Sequence, residues 1–472
     1  MNAVGGSRMG FMKTGAALAL AVVSLSSGIA SANAPQYKPG ELIVKYRDGA
    51  VRSKSVMDEI YAALGVRHVR RLRGMMRGVE HLTLRGGSVE AAVAQLRSNP
   101  AVEYAQPNYI LKALPVSSIT PNRGAAHQPS MSMPCVLPGV PWPEGCEDWD
   151  LPGEGGGDGR PALGDRPADV NPPVADPDQE SAYGIAKVGA TNAWNVTTGD
   201  SNFIVAVIDT GIDYNHEDLA YNVWRNPNAG DEGDVTGYDF VHNDGQPFDD
   251  NMHGSHCAGV IGATGGNGVG VSGINPRVSI MALKFLSAQG SGDTASAIRA
   301  IDYAVAHGAK VLSNSWGGGS GLDNQGLEDA INKAAEAGVI FVAAAGNESN
   351  DNDSNPTYPA AYRTPNMITV AATDQSDSLA SFSNTGAESV HLAAPGVRVY
   401  STVPNNRYAR LSGTSMACPH VAGAAALLWS AHPEWNYAQV KEKLLATVDR
   451  VEGLAGKVLT GGRLNVFRAL TE

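Results

Sequence analysis

The stretch IVAVIDTGID, residues 204–213, joins a short apolar run to an acidic residue. Five apolar residues in succession, 204–208, are typical of a strand that is buried on both faces of a parallel sheet. Asp209 then lies at the carboxyl end of this strand, where open α/β sheets bind their ligands. On composition alone, an acidic cap of a turn explains Asp209 more simply.

Strand and helix patterns alternate around this stretch in the C-terminal part of the chain. Buried strands are predicted at residues 203–208, 278–283, 310–313, 339–343 and 367–371. Helical periodicity predicts helices at residues 253–262, 294–306, 327–337, 415–430 and 437–445. This alternation predicts an α/β fold of three layers, in which a mostly parallel sheet lies between helices.

The chain of 472 residues is too long for one small core, and its N-terminus has the composition of a secretory signal. Within residues 1–32, Arg8 and Lys13 supply positive charge, an apolar run follows, and small residues allow cleavage after Ala32. The run is short for a membrane span, and no other stretch is long enough. We therefore expect an exported, extracellular protein without a membrane span.

Three further parts follow the signal. Residues 33–112 are predicted to form a small α+β domain. Its strand patterns lie at 40–46, 81–84 and 102–109, and its helical patterns at 56–64 and 89–96. Residues 113–178 are dense in Pro, Gly and Asp with little periodicity, which predicts a linker or an extended arm. Residues 179–472 carry the α/β pattern.

The formal net charge of −12 excludes one class of partner and leaves one question open. No basic patch of the kind that binds nucleic acid is present, so no nucleic-acid partner is expected. The excess of acidic residues is explained equally well by a solvated surface and by carboxylate clusters that hold calcium.

His253 and Ser415 each begin a predicted helix, within HGSHCAG and GTSMACPH. Alone, the first could be a structural histidine and the second an N-cap. Together with Asp209 they supply a hydroxyl, an imidazole that can take its proton and a carboxylate that can orient the imidazole. The order Asp, His, Ser along the chain is the order in subtilisin and differs from those of chymotrypsin and the α/β-hydrolases.

Three short motifs around these residues resemble the signatures of the subtilisin family, the subtilases. They are DTGID at 209–213, HGSH at 253–256 and GTSMA at 413–417. Ser255 stands where threonine is commoner, and it keeps the hydroxyl. The resemblance implies a subtilisin-like fold and a secreted serine endopeptidase whose catalytic triad is Asp209, His253 and Ser415.

The small domain at 33–112 resembles the inhibitory propeptide of the same family. The resemblance implies a zymogen whose N-terminal domain assists folding, occupies the cleft with a tail near residues 107–112, and is then removed autocatalytically. The expected partners are protein and peptide substrates and the chain's own propeptide as an intramolecular inhibitor. The arm at 113–178 has no counterpart in the simplest family members. We expect a monomer.

The segment AAAGN, residues 343–347, resembles the oxyanion-hole segment of the family. The side-chain amide of Asn347 and the backbone N–H of Ser415 are therefore implied to bind the tetrahedral oxyanion. The resemblance also implies substrate contacts, some of them by strand pairing with the bound peptide, at Ser315, Trp316, Gly317, Gly318, Glu348 and Thr357. Glu348 would face the main specificity pocket and Thr357 would narrow its base, which predicts broad specificity with tolerance for basic side chains.

Two loops resemble calcium sites of the family. The ligands implied for the first are oxygen atoms of mixed kind, which suit calcium, from Asp218, Asn267, the carbonyls of Val269 and Val271, and Gln179 or Asp176. In the second loop, Asp239 and Asp244 match the pattern of thermitase-like members, but His242 stands where a carboxylate is expected. Asp249 and Asp250 could compensate, and a solvated loop explains this second loop equally well.

Four cysteines are present. Cys257 and Cys418 lie about one turn into the helices that begin with the two catalytic candidates. Cys257 matches members of the thermitase and proteinase K type, which carry a free thiol beneath the catalytic histidine, and a buried free thiol is predicted for both. Cys135 and Cys146 lie in the arm, where an exported protein can form a disulfide.

Two other function classes fit the sequence less well. A catalytically silent relative that binds peptides has no support, because all triad positions and Asn347 are present. A lipase or esterase of the α/β-hydrolase kind needs Gly-x-Ser-x-Gly and the order Ser, Asp, His. Ser415 instead lies in GTSMA.

Overall fold

The computed structural model describes residues 36–49, 54–119, 175–229, 233–318 and 324–472. The predicted signal, Cys135, Cys146 and most of the predicted arm lie outside these ranges. Among the described residues, no helix is both long enough and apolar enough to cross a bilayer.

Strands and helices alternate through most of the described chain. The strands are β1 (Tyr37–Tyr46), β2 (Val66–Arg71), β3 (Val79–Leu84), β4 (Val102–Ala113), β5 (Ser117–Ile119), β6 (Gly199–Asp209), β7 (Gly237–Asp239), β8 (Arg277–Lys284), β9 (Ser291–Asp293), β10 (Val311–Asn314), β11 (Trp316–Gly317), β12 (Ile340–Ala344), β13 (Met367–Thr373), β14 (Leu392–Pro395), β15 (Val399–Val403), β16 (Arg407–Ser412), β17 (Asp449–Arg450) and β18 (Gly462–Arg463). The helices are α1 (Lys54–Leu64), α2 (Val89–Arg97), α3 (Tyr183–Lys187), α4 (Ala190–Ala193), α5 (His253–Gly262), α6 (Thr294–Ala306), α7 (Gln325–Glu336), α8 (Thr414–Ala431), α9 (Tyr437–Ala446) and α10 (Val466–Thr471).

A nine-stranded sheet forms the centre of the larger domain, in the order β17-β18-β14-β13-β12-β10-β6-β8-β7. Neighbouring strands are parallel except β17 and β18. Successive side chains of β6 point to opposite faces. Val205 and Val207 join the core cluster of α5 and α8, and Ala206 and Ile208 join that of α6 and α7. The predicted three-layer α/β fold is confirmed.

Most predicted elements of this domain agree with the structure to within two residues. The bounds of α5 and α6 are those that the periodicity predicts. The Asp293 side chain accepts a hydrogen bond from the Ser296 N–H and so marks the start of α6. β7, β14 and β18, which are two to four residues long, were not predicted.

The small domain is an antiparallel sheet in the order β4-β1-β3-β2, with α1 and α2 on one face. Its core contains Leu42, Leu82 and Val93, and the predicted α+β domain is confirmed. β2 (Val66–Arg71) was not predicted. Its sequence VRHVRR is rich in charged residues, as expected of a sheet edge, where charge protects against unwanted pairing.

The opposite face of this small sheet packs against the larger domain, and both domains belong to one compact unit, Pro35–Glu472. Ile43 and Leu111 share a core cluster with Ile298 of α6 and Leu327 of α7. This shared apolar interface joins β4 to the two helices and fixes where the strand leaves the small domain.

β4 continues from the small domain across the larger one. It pairs antiparallel with β9 and β11, and β5 then pairs antiparallel with β16. The predicted arm was expected to hold little regular structure from residue 113 onward, but Ala113 belongs to β4 and residues 117–119 form β5. A three-residue strand has no detectable periodicity, and it forms here because β16 supplies its hydrogen-bond partners.

Candidate active site

Asp209 and His253 form a buried pair at the carboxyl edge of the central sheet. Asp209 ends β6 and is 1% exposed, and His253 begins α5 and is 2% exposed. His253 Nδ1 lies 2.8 Å from Asp209 Oδ1. An ionised carboxylate can only accept a hydrogen bond, so Nδ1 donates. Nε2 is then the nitrogen that can take up a proton.

Opposing effects set the pKa of the His253 imidazole. Burial disfavours the charged form and lowers the pKa, whereas the charge and hydrogen bond of Asp209 raise it, and the charge of Asp249 adds to the increase. The carboxylates prevail, so the pKa of His253 lies above its ordinary value of 6.5. The imidazole is therefore a stronger base than usual and is neutral only above this raised pKa.

Ser415 lies fully buried in the first turn of α8. The Cys257 thiol, one turn into α5, is 3.5 Å from the Ser415 backbone oxygen, so the starts of the two helices are neighbours. The Ser415 hydroxyl donates to the Ser315 carbonyl at 3.3 Å, and His253 Nε2 has no hydrogen-bond partner among the described residues. Catalytic hydrogen bonds often form only in the reacting complex, and here the hydroxyl must first turn toward Nε2.

The Asn347 amide is held in one orientation by Thr414. Thr414 donates to Asn347 Oδ1 from its backbone N–H at 2.9 Å and from its hydroxyl at 2.8 Å. Nδ2 therefore faces the cleft, where it donates to the Pro115 carbonyl at 2.8 Å. The backbone N–H of Ser415 lies in the first turn of α8, where the helix provides no acceptor, so this N–H is available to another group. Sequence analysis gave Thr414 no role, although it precedes Ser415 in GTSMA.

Asp249 is a second buried carboxylate in the site, and sequence analysis did not assign it there. It is 1% exposed and accepts hydrogen bonds from the Thr210 hydroxyl at 2.8 Å, from the Ser255 N–H and hydroxyl at 2.8 and 2.7 Å, and from the Asn251 and Met252 amides. It thereby ties the residue after Asp209 to the first turn of α5. Ser255 thus uses the hydroxyl that it shares with threonine.

The chain's own strand β4 lies along the segment predicted to pair with substrate. Lys112 pairs with Gly317 and Ala113 with Trp316, and the Leu114 N–H donates to the Ser315 carbonyl at 3.3 Å. The contacts thus extend past the predicted tail at 107–112. Trp316 is fully buried, so only its backbone is available to a peptide.

Gly318 does not continue this ladder. Its N–H donates to the Tyr358 carbonyl at 2.8 Å. A side chain at Gly317 would meet the Tyr358 oxygen at 3.0 Å and Leu114 Cδ2 at 3.5 Å. The Leu114 side chain therefore lies against Gly317 and close to the loop that carries Thr357.

Asn384 joins the two predicted pocket residues. Its Nδ2 donates to Glu348 Oε2 at 2.8 Å and to Thr357 Oγ1 at 3.2 Å. Its Oδ1 accepts the backbone N–H groups of Glu348 and Asn350. Glu348 is exposed and Thr357 is buried. Their shared partner Asn384 therefore holds one carboxylate and one hydroxyl on the same side of the predicted specificity pocket. Nothing in the sequence signals this role for Asn384, because its partners come from distant segments.

The residues predicted for the first calcium site gather around the loop 266–272. Asp218 is fully buried, and it accepts hydrogen bonds from Asn267 Nδ2 at 2.8 Å and from the Val271 N–H at 2.9 Å. Asp176 accepts the N–H groups of Gly266 and Gly268, and Gln179 Oε1 accepts that of Ser272. Val269 lies on the same loop, and its N–H donates to Asn267 Oδ1. Burial and the charge of Asp176 raise the pKa of Asp218 to about 7.

The second predicted loop is arranged differently. One oxygen of Asp239 accepts the backbone N–H groups of Val241 and His242, and the other lies 2.8 Å from His242 Nδ1. Asp244 accepts the Gln246 N–H. The two residues expected to compensate are engaged elsewhere: Asp249 at α5, as above, and Asp250 with the buried Lys284 amine at 2.6 Å. The carboxylates of this loop therefore have local partners.

Cys257 and Cys418 are free, buried thiols, as predicted. Burial raises the pKa of both, to about 11 for Cys418. Because the thiolate is the reactive form, neither is suited to act as a nucleophile at neutral pH.

A scan against protein-family models supplies the family. Residues 200–462 match the model described as "Subtilase family" and residues 25–108 match the "Fervidolysin N-terminal prodomain". This chain belongs to the subtilase family. It is a serine endopeptidase made with an N-terminal prodomain.

Individual relatives agree with this subtilase assignment. The chain is 43% identical to "Thermitase" of Thermoactinomyces vulgaris over 288 residues, 61% of this chain and 95% of that protein. It is 35% identical to "Thermophilic serine proteinase" of Bacillus sp. (strain AK1) over 438 residues, 92% of this chain and 88% of that protein.

A solved structure matches across both domains of this subtilase. Fervidolysin from Fervidobacterium pennivorans, described as a keratinolytic enzyme related to subtilisin, superposes with a TM-score of 0.68 at 25% identity. The match covers 93% of this chain and 61% of fervidolysin. The prediction of a subtilisin-like domain behind an N-terminal propeptide is confirmed.

Proposed function

We propose that this subtilase is secreted and matures itself, with Ser415 as nucleophile, His253 as general base and Asp209 as the group that orients His253. One observation carries the proposal. The Asn347 amide holds the Pro115 carbonyl, which lies between β4 and β5, and Asp209 and His253 form a buried pair at the carboxyl edge of the central sheet. A peptide carbonyl held in this way is what acyl transfer by a triad requires.

Acylation starts when the Ser415 hydroxyl turns from the Ser315 carbonyl to His253 Nε2. Nε2 takes the proton as Oγ attacks the carbonyl carbon, and Asp209 stabilises the imidazolium. Asn347 Nδ2 and the Ser415 N–H bind the oxyanion. The proton then passes to the leaving nitrogen, the C–N bond breaks, and an ester to Oγ remains.

Deacylation repeats these steps with water. His253 Nε2 takes a proton from the water as it attacks the ester carbonyl, and the oxyanion forms at the same donors. Collapse breaks the bond to Ser415 Oγ, which takes the proton back from His253. The products are a carboxylate on one peptide and an amine on the other.

Substrates are proteins and peptides that bind in an extended form. The Ser315 carbonyl and the backbone of Trp316 and Gly317 pair with the substrate, as they pair with β4 here. Glu348 and Thr357 line the main pocket, and the exposed carboxylate of Glu348 tolerates basic side chains. This supports broad specificity. Gly318 has a supporting role, since its N–H is held by Tyr358.

One structural calcium ion is proposed at the loop 266–272. Asp218 is buried with a raised pKa and has the like charge of Asp176 nearby, so a cation would relieve both costs. Its ligands would be oxygen atoms of Asp218, Asn267, Asp176 or Gln179, and the carbonyls of Val269 and Val271. Calcium would supply structural stability there and take no part in the chemistry. A second ion at Asp239 and Asp244 has weaker support, because those carboxylates have local partners.

Export is proposed on the signal pattern at the N-terminus, and the prodomain, which is typical of a protein made as an inactive precursor, supports it. A monomer suffices for the proposed catalysis, since every proposed catalytic group lies within one chain.

The proposal is tested by expressing the wild type and Ser415→Ala side by side and measuring the intact mass of each secreted product. Wild type alone should lose the small domain and hydrolyse casein. If both are shortened alike, another protease performs the maturation. If wild type is also inactive on casein, the proposed triad is wrong.

A further inference from the structure

The segment between β4 and β5 places one particular peptide carbonyl at Asn347. The Asn347 amide donates to the Pro115 carbonyl at 2.8 Å. Beyond this carbonyl, the Val116 side chain lies against Gly413, with Cγ1 3.2 Å from the position that a side chain at Gly413 would take. The chain then pairs with β16 from Ser117 onward. The segment is thus anchored on both sides of the bond between Pro115 and Val116.

A single residue could make both backbone hydrogen bonds, one to the Ser315 carbonyl and one from the Asn347 amide, but Pro115 cannot. In an extended strand the N–H and C=O of one residue point to the same side. A residue with an N–H could therefore donate to the Ser315 carbonyl and place its own carbonyl at Asn347. Proline has no N–H, and here the Leu114 N–H takes the Ser315 carbonyl while Pro115 supplies the carbonyl at Asn347. Two residues, Leu114 and Pro115, thus make the contacts that one residue could make, as two residues oppose one in a β-bulge.

We propose that maturation cuts the Pro115–Val116 bond and that Pro115 slows this cut, which makes the junction a timed release of the prodomain. The inference rests on the proposed function of Ser415. Two further contacts support a slow junction. The Ser315 carbonyl accepts both the Leu114 N–H and the Ser415 hydroxyl, which keeps the hydroxyl turned away from His253. The β5–β16 pairing holds the new amine beside the ester once it has formed.

The chemistry of the cut balances with water alone. Ser415 Oγ attacks the Pro115 carbonyl carbon, its proton passes through His253 to the Val116 nitrogen, and the C–N bond breaks. Water then hydrolyses the Pro115 ester, which leaves a carboxylate on Pro115 and an amine on Val116. The preceding bond, Leu114–Pro115, is a tertiary amide whose nitrogen lies in a ring, and its carbonyl is not the one that Asn347 holds.

The test refolds the full chain from denaturant and follows processing by mass spectrometry at early times, so that later trimming does not obscure the first cut. The wild type should give one fragment that ends at Pro115 and one that begins at Val116. Pro115→Ala should be processed at the same bond at least about threefold faster, the effect of one hydrogen bond. Pro107→Ala is the matched control, since Pro107 lies in β4, before the segment that holds Pro115, and pairs with Leu42 of the small domain. Its rate should match wild type.

Each other outcome has a defined meaning. First fragments that end elsewhere, including at Leu114, overturn the assignment of the bond even when Pro115→Ala fails to fold. Processing of Pro115→Ala at or below the wild-type rate overturns the delay. If wild type hydrolyses casein but stays uncut, the inference fails and the proposed function stands. If wild type behaves like Ser415→Ala in both assays, the proposed function itself fails.

Discussion

Asp209 and His253 share one hydrogen bond in a buried site, and that bond determines which ring nitrogen of the imidazole can accept a proton. Nδ1 is committed to the carboxylate, so only Nε2 is free to act as a base. Asp249 lies within the same buried cluster and ties Thr210 to the first turn of α5. The base is therefore oriented by one carboxylate, and its surroundings are fixed by another.

The raised pKa of His253 predicts the acid limb of the activity profile. The imidazole must be neutral to accept the serine proton, so activity is present above the pKa and is lost as pH falls through it. Because the pKa lies above 6.5, kcat/KM on a soluble peptide should fall to half at a pH above about 6.5. A limb centred below pH 6 would contradict the proposed electrostatics.

Removing the oxyanion donor should reduce turnover more than binding. Asn347→Leu keeps the size of the side chain but loses Nδ2, so kcat should fall about 10²–10³-fold with little change in KM. Thr414→Val removes the hydroxyl that orients the amide and should cost about tenfold, because one of two orienting hydrogen bonds remains. Steady-state kinetics separate the two constants. An increase in KM at unchanged kcat would show that Asn347 only binds substrate.

At the scale of elements, two side chains of β4 cap the N-termini of two helices of the larger domain and so hold the small domain against it. Gln106 Oε1 accepts the Gly326 N–H of α7 at 2.8 Å, and Asn108 Oδ1 accepts the Ala295 N–H of α6 at 3.0 Å. Both side chains are at most 1% exposed. Each satisfies an amide that a helix leaves without an internal partner.

Loss of these two caps should destabilise the uncut chain. In a Ser415→Ala background, Gln106→Ala and Asn108→Ala should each lower the free energy of unfolding by about 1 kcal/mol, as helix caps do. Gln95→Ala, which removes an exposed amide of α2, is the control and should have little effect. Urea titration measures all three. Equal effects at Gln95 and Asn108 would mean that the caps do not stabilise the docked domain.

Element patterns explain which features the sequence can predict. α5 and α6 were predictable because their first residues mark where each helix begins and the apolar periodicity shows how far it extends. Asp209, His253 and Ser415 were recognisable because each lies in a motif fixed by its own turn or helix start. β5 was not predictable, because it forms only by pairing with β16. The two strands are nearly 300 residues apart in sequence, with Ser117 opposite Ser412.

The polar contacts of the site were the least predictable part. Asn384, Asp249 and Gln106 lie in segments without a motif, and their partners come from other parts of the chain. An isolated Asn, Asp or Gln is most often a solvated side chain. Only the fold shows that these three are buried and hydrogen-bonded.

At the scale of the whole molecule, the chain is a zymogen, and in the proposed maturation the stretch from β4 to β5 connects the prodomain, the bond to be cut and the peptidase domain. β4 belongs to the small sheet at its start and pairs with β11 at its end, and β5 lies on the far side of the bond proposed to be cut. The two domains share a core cluster, so separation of the prodomain exposes apolar surface to water, which is unfavourable.

Calcium should stabilise the whole molecule in a way that depends on pH. The folded pKa of Asp218, about 7, lies above its ordinary value of 3.8, so the calcium-free fold binds an extra proton between these values. The contribution of Asp218 to the free energy of unfolding of the calcium-free protein is therefore retained at low pH and lost as pH rises toward 7. Calcium should offset this loss, so the rise in Tm on adding calcium should be larger at pH 8 than at pH 5.

The calcium prediction is checked by calorimetry in the Ser415→Ala background, which prevents self-digestion. Asp218→Asn should abolish both the pH dependence of the calcium effect and most of its size. Asp244→Asn, at the other loop, is the control and should keep both. A calcium effect unchanged in Asp218→Asn would place the ion elsewhere.

The most direct test of the central claim, that His253 activates Ser415, is covalent labelling with a fluorophosphonate, which reacts with activated serine nucleophiles. The mature wild type is labelled beside His253→Ala that has been matured by a trace of wild type, and the modified peptide is located by mass. The account predicts one adduct per molecule, on Ser415, and labelling of His253→Ala slower by about 10³-fold or more. An adduct on another residue, or equal labelling of the two proteins, would contradict it.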